Sequence, residues 1–230
     1  MGEHQYQQYC GLARTLDIAG DRWTLLIVRE LMPGPRRFTD LIDGLPGISR
    51  NLLTERLRAL EQDDVVVRRE LPPPAARQVY ELTADGRDLA EAMVPLIGWG
   101  ARRLGRRTPT ESFRARWAGL AMATFADREA AKGVSETYQC LVDGSAFYLV
   151  VDDGSIEFLD GRAHDPAVTV TTDEETLAEI AGGNLTASDA SATGSLTITG
   201  DRQAAERLRR IFSRRQIFEQ ARAAASGART

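Results

Sequence analysis

Residues 47–64, GISRNLLTERLRALEQDD, constrain the chain most. Laid out as a helix at ~100° per residue, Leu53, Leu57 and Leu60 form one narrow apolar seam. A helix with so narrow a seam buries one edge and leaves most of its circumference to solvent or a partner. Asn51, Glu55 and Arg58 fall almost opposite the seam, with Arg50 and Thr54 on one flank. An ordinary solvated face mixes Glu with Lys, whereas this one carries hydrogen-bond donors. Ser49 is the expected N-cap, because its hydroxyl can accept from the first free N–H groups. Arg56 lies closer to the seam, where it either braces a neighbouring helix or reaches a phosphate.

The preceding residues read as two short helices, a further short helical element and a turn. GLARTLDIAG places Leu12, Leu16 and Ala19 or Ile18 at helical spacing, and Gly20 ends it. Asp21 is expected to N-cap DRWTLLIVRELM, in which Trp23, Leu26, Ile27, Glu30 and Leu31 keep the helical period. PGP at 33–35 stops that helix, RFTDLIDGL turns Phe38, Leu41 and Ile42 inward, and LPGI at 45–48 makes a tight turn. Together with the seamed helix this is a helix-turn-helix. Its last helix enters a major groove, where Arg pairs with guanine and Asn with adenine. The expected base- and backbone-contacting residues of this helix are Ser49, Arg50, Asn51, Thr54 and Arg58. Glu55 would repel phosphate unless it accepts from cytosine.

VVVRREL (65–71) and RQVYELT (77–83) follow as two β-prone runs joined by PPPAA, a hairpin where a wing belongs. Arg68, Arg69 and Arg77 are its expected phosphate contacts. TADG then opens a long helix, with Leu89, Met93, Leu96, Ile97 and Gly100 on one face and a kink expected at Pro95. A net charge of −4 argues against a nucleic-acid partner until it is divided. Residues 10–107 hold 16 Arg against 14 Asp+Glu, and residues 108–230 hold 13 Lys+Arg against 18 Asp+Glu. The positive excess lies in the half with the helix-turn-helix. A single exposed arginine is ordinary surface, so the reading rests on the motif and not on any one side chain.

Residues 10–100 resemble the HxlR family of bacterial winged-helix transcription regulators. The matching stretches are Cys10 followed by TLDIAGDRWTLLIVREL, then GPRRFTDLIDGLPGIS, LLTERLRALE, and VYELTADGRDL ending in PLIGWG. The resemblance implies a homodimer paired through the N-terminal helix and the helix containing Trp99, with one recognition helix per subunit on a palindromic site. It adds Arg36 and Arg37 as a basic pair on DNA, and Cys10 as the position of a redox or electrophile sensor in some members. The alternative for Cys10 is a small buried residue at the dimer interface. The family has Gly after the recognition helix. Asp63-Asp64 stands there instead, which requires Asp64 to adopt a left-handed conformation.

GRRTPTES (105–112) reads as a linker. Beyond it, FRARWAGLAMATFAD places Phe113, Trp117, Leu120, Ala121 and Thr124 or Phe125 on one helix face. YQCLVDGSAFYLVVDDGSIEFLDG alternates between turn signals as an antiparallel meander, with Cys140 as simple core. AVTVTT is a strand, DEETLAEIAGG a helix capped by Asp173, GSLTITG a last strand, and DRQAAERLRRIF a helix with Leu208, Ile211 and Phe212 inward. Residues 113–213 resemble the sterol carrier protein type-two family, most diagnostically in GSLTITGD and the helix after it. That resemblance implies a curved sheet, helices over it, and an apolar tunnel for hydrophobic molecules. Candidate lining residues are Trp117, Phe125, Tyr138, Phe147, Leu149, Phe158, Leu177, Ile180, Leu196, Ile198, Leu208 and Phe212. Any packed core would use the same residue types.

The expected fold is mixed α/β in two domains. Residues 1–107 form a winged helix-turn-helix, mostly α with a β-hairpin wing, and residues 108–230 an α+β domain with an antiparallel curved sheet. His4 and His164 are the only histidines, and no metal-ligand spacing, nucleophile elbow or Gly-rich phosphate loop is visible, so neither enzyme activity nor a cofactor or metal is expected. No apolar run approaches the ~20 residues needed to span a bilayer, and MGEHQYQQYC is no secretion signal, which points to the cytoplasm. The expected function is a DNA-binding transcription regulator, a repressor, with duplex DNA, a second copy and a hydrophobic small-molecule effector as partners. The competing readings are a lipid carrier or interaction module on a winged-helix dimerisation scaffold, and a cysteine-based redox-sensing regulator.

Overall fold

The computed structural model describes residues 6–71 and 77–213, so the PPPAA tip of the hairpin lies outside the described residues. The chain divides into two compact units, Met1–Met93 and Val94–Thr230. The division falls inside a helix.

The first unit begins with α1 (Gly11–Ala19), α2 (Thr24–Leu31), α3 (Phe38–Gly44) and α4 (Arg50–Gln62). The hairpin β1 (Val66–Glu70) and β2 (Gln78–Leu82) follows, with Val66 opposite Leu82 and Glu70 opposite Gln78, and then α5 (Ala84–Ala101). Leu53, Leu57 and Leu60 are 0–1% exposed, the seam that their spacing predicts. They share the core with Ile27, Val28, Leu31, Leu41, Leu45, Val65, Val66, Val79 and Leu82. Ser49 Oγ accepts the Leu52 N–H at 3.2 Å, closing the N-terminus of α4. Past its C-terminus Asp64 sits at φ 56°, the left-handed conformation that the missing glycine demands. The α5 helix continues through Pro95.

Two local expectations fail. Asp21 does not cap α2; the helix starts after Trp23, which holds φ 81°, and makes no side-chain cap there. The Asp21 carboxylate instead pairs with Arg56 at 2.7 Å. Leu26 is 40% exposed, because Val28 takes the inward place beside Ile27 and Leu31.

The second unit holds α6 (Ala115–Phe125), β3 (Ser135–Val142), β4 (Ser145–Asp152), β5 (Ser155–Asp160), β6 (Val168–Thr172), α7 (Glu174–Gly182), α8 (Ala187–Thr193), β7 (Leu196–Gly200) and α9 (Arg202–Ile211). The sheet order is β5-β4-β3-β6-β7. It is mixed and not wholly antiparallel, because β6 pairs with β3 in parallel, Tyr138 beside Val168 and Val142 beside Thr172. The meander β3-β4-β5 leaves the chain at one edge, and β6 is reached by a crossover to the far side of β3. The buried Gln139 amide secures that crossover: Nε2 donates to Phe147 O at 2.7 Å and to Gly161 O at 3.3 Å, and Oε1 accepts the Ala163 N–H at 2.7 Å.

The helix facing the sheet also differs from expectation. α6 buries Ala115, Ala118, Gly119, Ala123 and Phe125, whereas Trp117, Leu120, Ala121 and Thr124 are only half-buried. The reason is close approach. A Cβ on Gly119 would lie 2.5 Å from Phe158 Cε2 and 2.7 Å from Phe147 Cε2, so only small residues fit over those rings. α8, whose Ser, Asp and Thr content hides a helix, is held by Thr186, whose hydroxyl accepts the Asp189 N–H at 3.1 Å. Among the described residues no helix is long and apolar enough to cross a membrane.

Candidate nucleic-acid interface

The seam fixes the rotation of α4, and with it the direction of every other side chain on the helix. Asn51, Thr54, Glu55, Arg58, Ala59 and Gln62 line one open depression opposite Leu53, Leu57 and Leu60. Thus the structure brings Asn51, Thr54 and Arg58 together. It adds Gln62, which the sequence reading did not name although it lies four residues beyond Arg58 on the same helical period. Thr54 Oγ1 donates to Arg50 O at 2.9 Å, which ties down its hydroxyl hydrogen and leaves its methyl group free for apolar contact. Arg50, exposed at the first turn of α4, has its guanidinium 6.0 Å from the centre of the Phe38 ring. Ser49 Oγ is engaged as the N-cap of α4, accepting the Leu52 N–H.

The remaining basic residues do not act as one group. Arg36 pairs through its backbone with Tyr80, donating at 2.8 Å and accepting at 2.7 Å, which docks the approach to α3 beside the hairpin. Arg37 is exposed, and its N–H donates to Asp40 at 3.2 Å in the first turn of α3. Arg68 and Arg69 are adjacent on β1 and therefore point to opposite faces of the hairpin. Arg68 donates to Gln78 across the hairpin, and Arg69 pairs with Glu81 at 2.8 Å, which neutralises its charge. Arg77 is exposed at the start of the second run. Arg56 is 18% exposed and lies between Asp21 at 2.7 Å and Glu55 at 3.2 Å. Of the two roles open to it from sequence, the contacts are those of a brace.

Cys10 is exposed immediately before α1. The backbone N–H groups of Ala13 and Leu12 favour its thiolate and draw its pKa below the ordinary thiol value. Cys140 is the opposite case, buried in the second core with its thiol pushed up to about 12.

In the second unit Phe125, Tyr138, Phe147, Leu149, Phe158, Leu196, Leu208 and Phe212 are all buried. Most join one cluster in which Tyr138 meets Phe212 edge-on at 5.9 Å and Phe147 lies 5.5 Å from Phe158. Leu177 and Ile198 are half-buried and packed against it, and Trp117 and Ile180 are half-buried. The Tyr138 hydroxyl donates to Glu136, which also takes the Arg207 guanidinium. Burial pushes the Tyr138 hydroxyl pKa up, so the group stays protonated as a donor. Among the described residues no group of three or more His, Cys, Asp or Glu could hold a metal ion.

Comparison with known proteins finds two families in succession along the chain. Residues 18–108 match the family of HxlR-like helix-turn-helix proteins, and residues 120–213 match the SCP-2 sterol transfer family. The HTH-type transcriptional regulator YodB of Bacillus subtilis (strain 168) is 38% identical over 82 residues, which are 36% of this chain and 73% of that protein. An uncharacterized HTH-type transcriptional regulator of Mycobacterium tuberculosis (strain H37Rv) is 43% identical over 95 residues, 41% of this chain and 60% of that protein. A solved structure of the reduced form of YodB covers 41% of this chain and 94% of its own at 33% identity, with a TM-score of 0.37. The chain belongs to the HxlR-like helix-turn-helix family, and its second half carries a domain of the SCP-2 sterol transfer family.

Proposed function

We propose that this protein is a DNA-binding transcriptional repressor that acts as a homodimer on a palindromic operator, and that its second half binds a hydrophobic effector. The observation that carries the reading is the rotation of α4: with the leucine seam at 0–1% exposure, Asn51, Thr54, Arg58 and Gln62 are directed away from the core. Asn and Arg there have the donor geometry for adenine and guanine edges. Ser49, Arg36, Arg37, Arg68, Arg69 and Arg77 serve the backbone and the helix end, with Arg69 the weakest of them because Glu81 already pairs it. Dimer formation is supported by the exposure of Leu12 at 67% and Leu16 at 39% on α1, and of Leu96 at 51% and Trp99 at 49% on α5. The functional division is placed at 107/108, which keeps the whole of α5 with the DNA-binding domain. No catalytic step is assigned to either half.

The effector must bind the DNA-competent and DNA-incompetent states with different affinity, or it regulates nothing. The candidate site is the second core with Leu177 and Ile198 packed against it, together with the half-buried Trp117 and Ile180.

The test is a titration of the purified chain against its upstream DNA and a scrambled duplex, with and without an apolar probe such as a long-chain fatty acid. Asn51→Ala and Arg58→Ala are each expected to weaken specific binding by ~1–3 kcal/mol and to relax base preference at one position. Absence of any DNA complex at low salt sinks the reading. A probe that binds with no change in DNA affinity favours the carrier alternative.

A second reading, thiol sensing, is favoured by the exposure and lowered pKa of Cys10. Iodoacetamide near neutral pH is expected to label Cys10 and spare Cys140. If diamide releases DNA from the wild type and equally from Cys10→Ser, the sensor reading falls.

A further inference from the structure

The turn between α1 and α2 is built in an unusual way and touches both the reading helix and the turn that leads into it. Trp23 holds φ 81° and ψ −23°, a left-handed conformation that a bulky residue rarely keeps unless its surroundings impose it. Its ring lies 3.7 Å from where a Cβ on Gly47 would stand, so it packs on the turn that leads into α4, and the Arg22 guanidinium sits 5.2 Å from its centre. Two residues before Trp23, Asp21 reaches Arg56 in the middle of α4 at 2.7 Å. Arg56 also contacts Glu55 at 3.2 Å, while its buried Nε finds no hydrogen-bond partner among the described residues. Asp21 and Glu55 thus hold a guanidinium side chain that is only 18% exposed.

Arg56 stands between the buried seam and the reading face, next to Glu55 and two residues from Arg58. The buried seam fixes the rotation of α4 coarsely, and a clamp at that point resists the smaller turns about its axis that would carry Asn51 and Arg58 off their bases. Resting on the DNA-reading function above, we propose that Asp21 and Arg56 are positioning residues for sequence-specific recognition: their ion pair sets the angle at which α4 enters the groove, and its loss relaxes base discrimination while non-specific affinity persists.

The sign of one substitution separates this role from a phosphate contact by Arg56. An operator is first enriched from a random duplex pool with the full-length wild type, and dissociation constants are then measured for the enriched and scrambled duplexes across a salt series. Asp21→Asn removes a negative charge from a DNA-binding surface, so electrostatics alone would tighten both complexes. The positioning role instead lowers the ratio of specific to non-specific affinity at least about tenfold, the scale of one lost base contact. Arg56→Met is expected to lower that ratio equally, with the salt slopes unchanged. If Arg56 bound a phosphate, Arg56→Met would reduce the slope by about 0.9 and Asp21→Asn would not weaken specific binding, which overturns the proposal.

The double variant Asp21→Arg with Arg56→Glu restores the pair in reverse. Recovered discrimination supports the clamp even where a single variant melts early, and no recovery overturns it. A wild type that enriches no sequence removes the DNA-reading function itself. A wild type that discriminates beside an Asp21→Asn variant that discriminates equally removes only the positioning proposal.

Discussion

Glu30 is 1% exposed, and its partner Arg29 is 2.7 Å away with its pKa pushed down to about 10 by burial. Arg29 also donates to Gly44 O at 3.5 Å, so the pair links α2 to the end of α3. Removing one member takes away a close partner of a largely buried charge, which costs more than the intact pair contributes. Glu30→Ala is therefore expected to lower stability by about 3–5 kcal/mol, read from urea unfolding midpoints. A loss below about 1 kcal/mol would mean that Arg29 finds solvent when its partner is gone. The helical period of α2 marked Glu30 as inward, but only its burial beside Arg29 shows it as a charge held in the core.

Among the elements, α6 depends most on shape. Its small-residue face lies over Phe147 and Phe158, so Gly119→Ala inserts a methyl group where two ring edges stand. Overpacking of this kind costs about 1–3 kcal/mol, and the expected result is a lowered thermal midpoint for the second unit. An unchanged midpoint would show that the rings move aside. α7 depends on a cap: Asp173 Oδ1 accepts the Thr176 N–H at 2.7 Å, and Asp173→Ala is expected to cost about 1 kcal/mol. The same N–H holds the Asp173 carboxyl below its ordinary pKa. Its contribution is present above the unfolded value, near 4, and is lost as pH falls through the lower folded value. The difference between wild type and Asp173→Ala should therefore shrink in acid.

For the whole molecule, the proposed homodimer rests on exposed apolar side chains. Leu12 and Trp99 are large to leave at 67% and 49% exposure, and a second copy covering them would turn that exposure into stability. Leu12→Glu is expected to shift the mass measured by light scattering from dimer toward monomer and to weaken operator binding in parallel. A wild-type monomer would dismiss the dimer. A dimer indifferent to Leu12→Glu would place the interface elsewhere.

Sequence alone determined what depends on local period and local chemistry. The Leu53, Leu57 and Leu60 seam, the caps at Ser49 and Asp173 and the two-stranded wing were all legible in it, because each is decided within a few residues, while the left-handed Asp64 followed from the resemblance to a family with Gly at that place. Tertiary structure alone decided where two local solutions compete. α6 has both a large-residue face and a small-residue face at helical spacing, and the ring volumes of Phe147 and Phe158, far along the chain, chose the small one. Asp21 could cap α2 or bind a cation, and the arrival of Arg56 settled it. β6 joins β3 in parallel because the crossover held by Gln139 brings it there, a choice that no alternating pattern encodes. Each is a contact between residues distant in sequence, and periodicity carries no information about such partners.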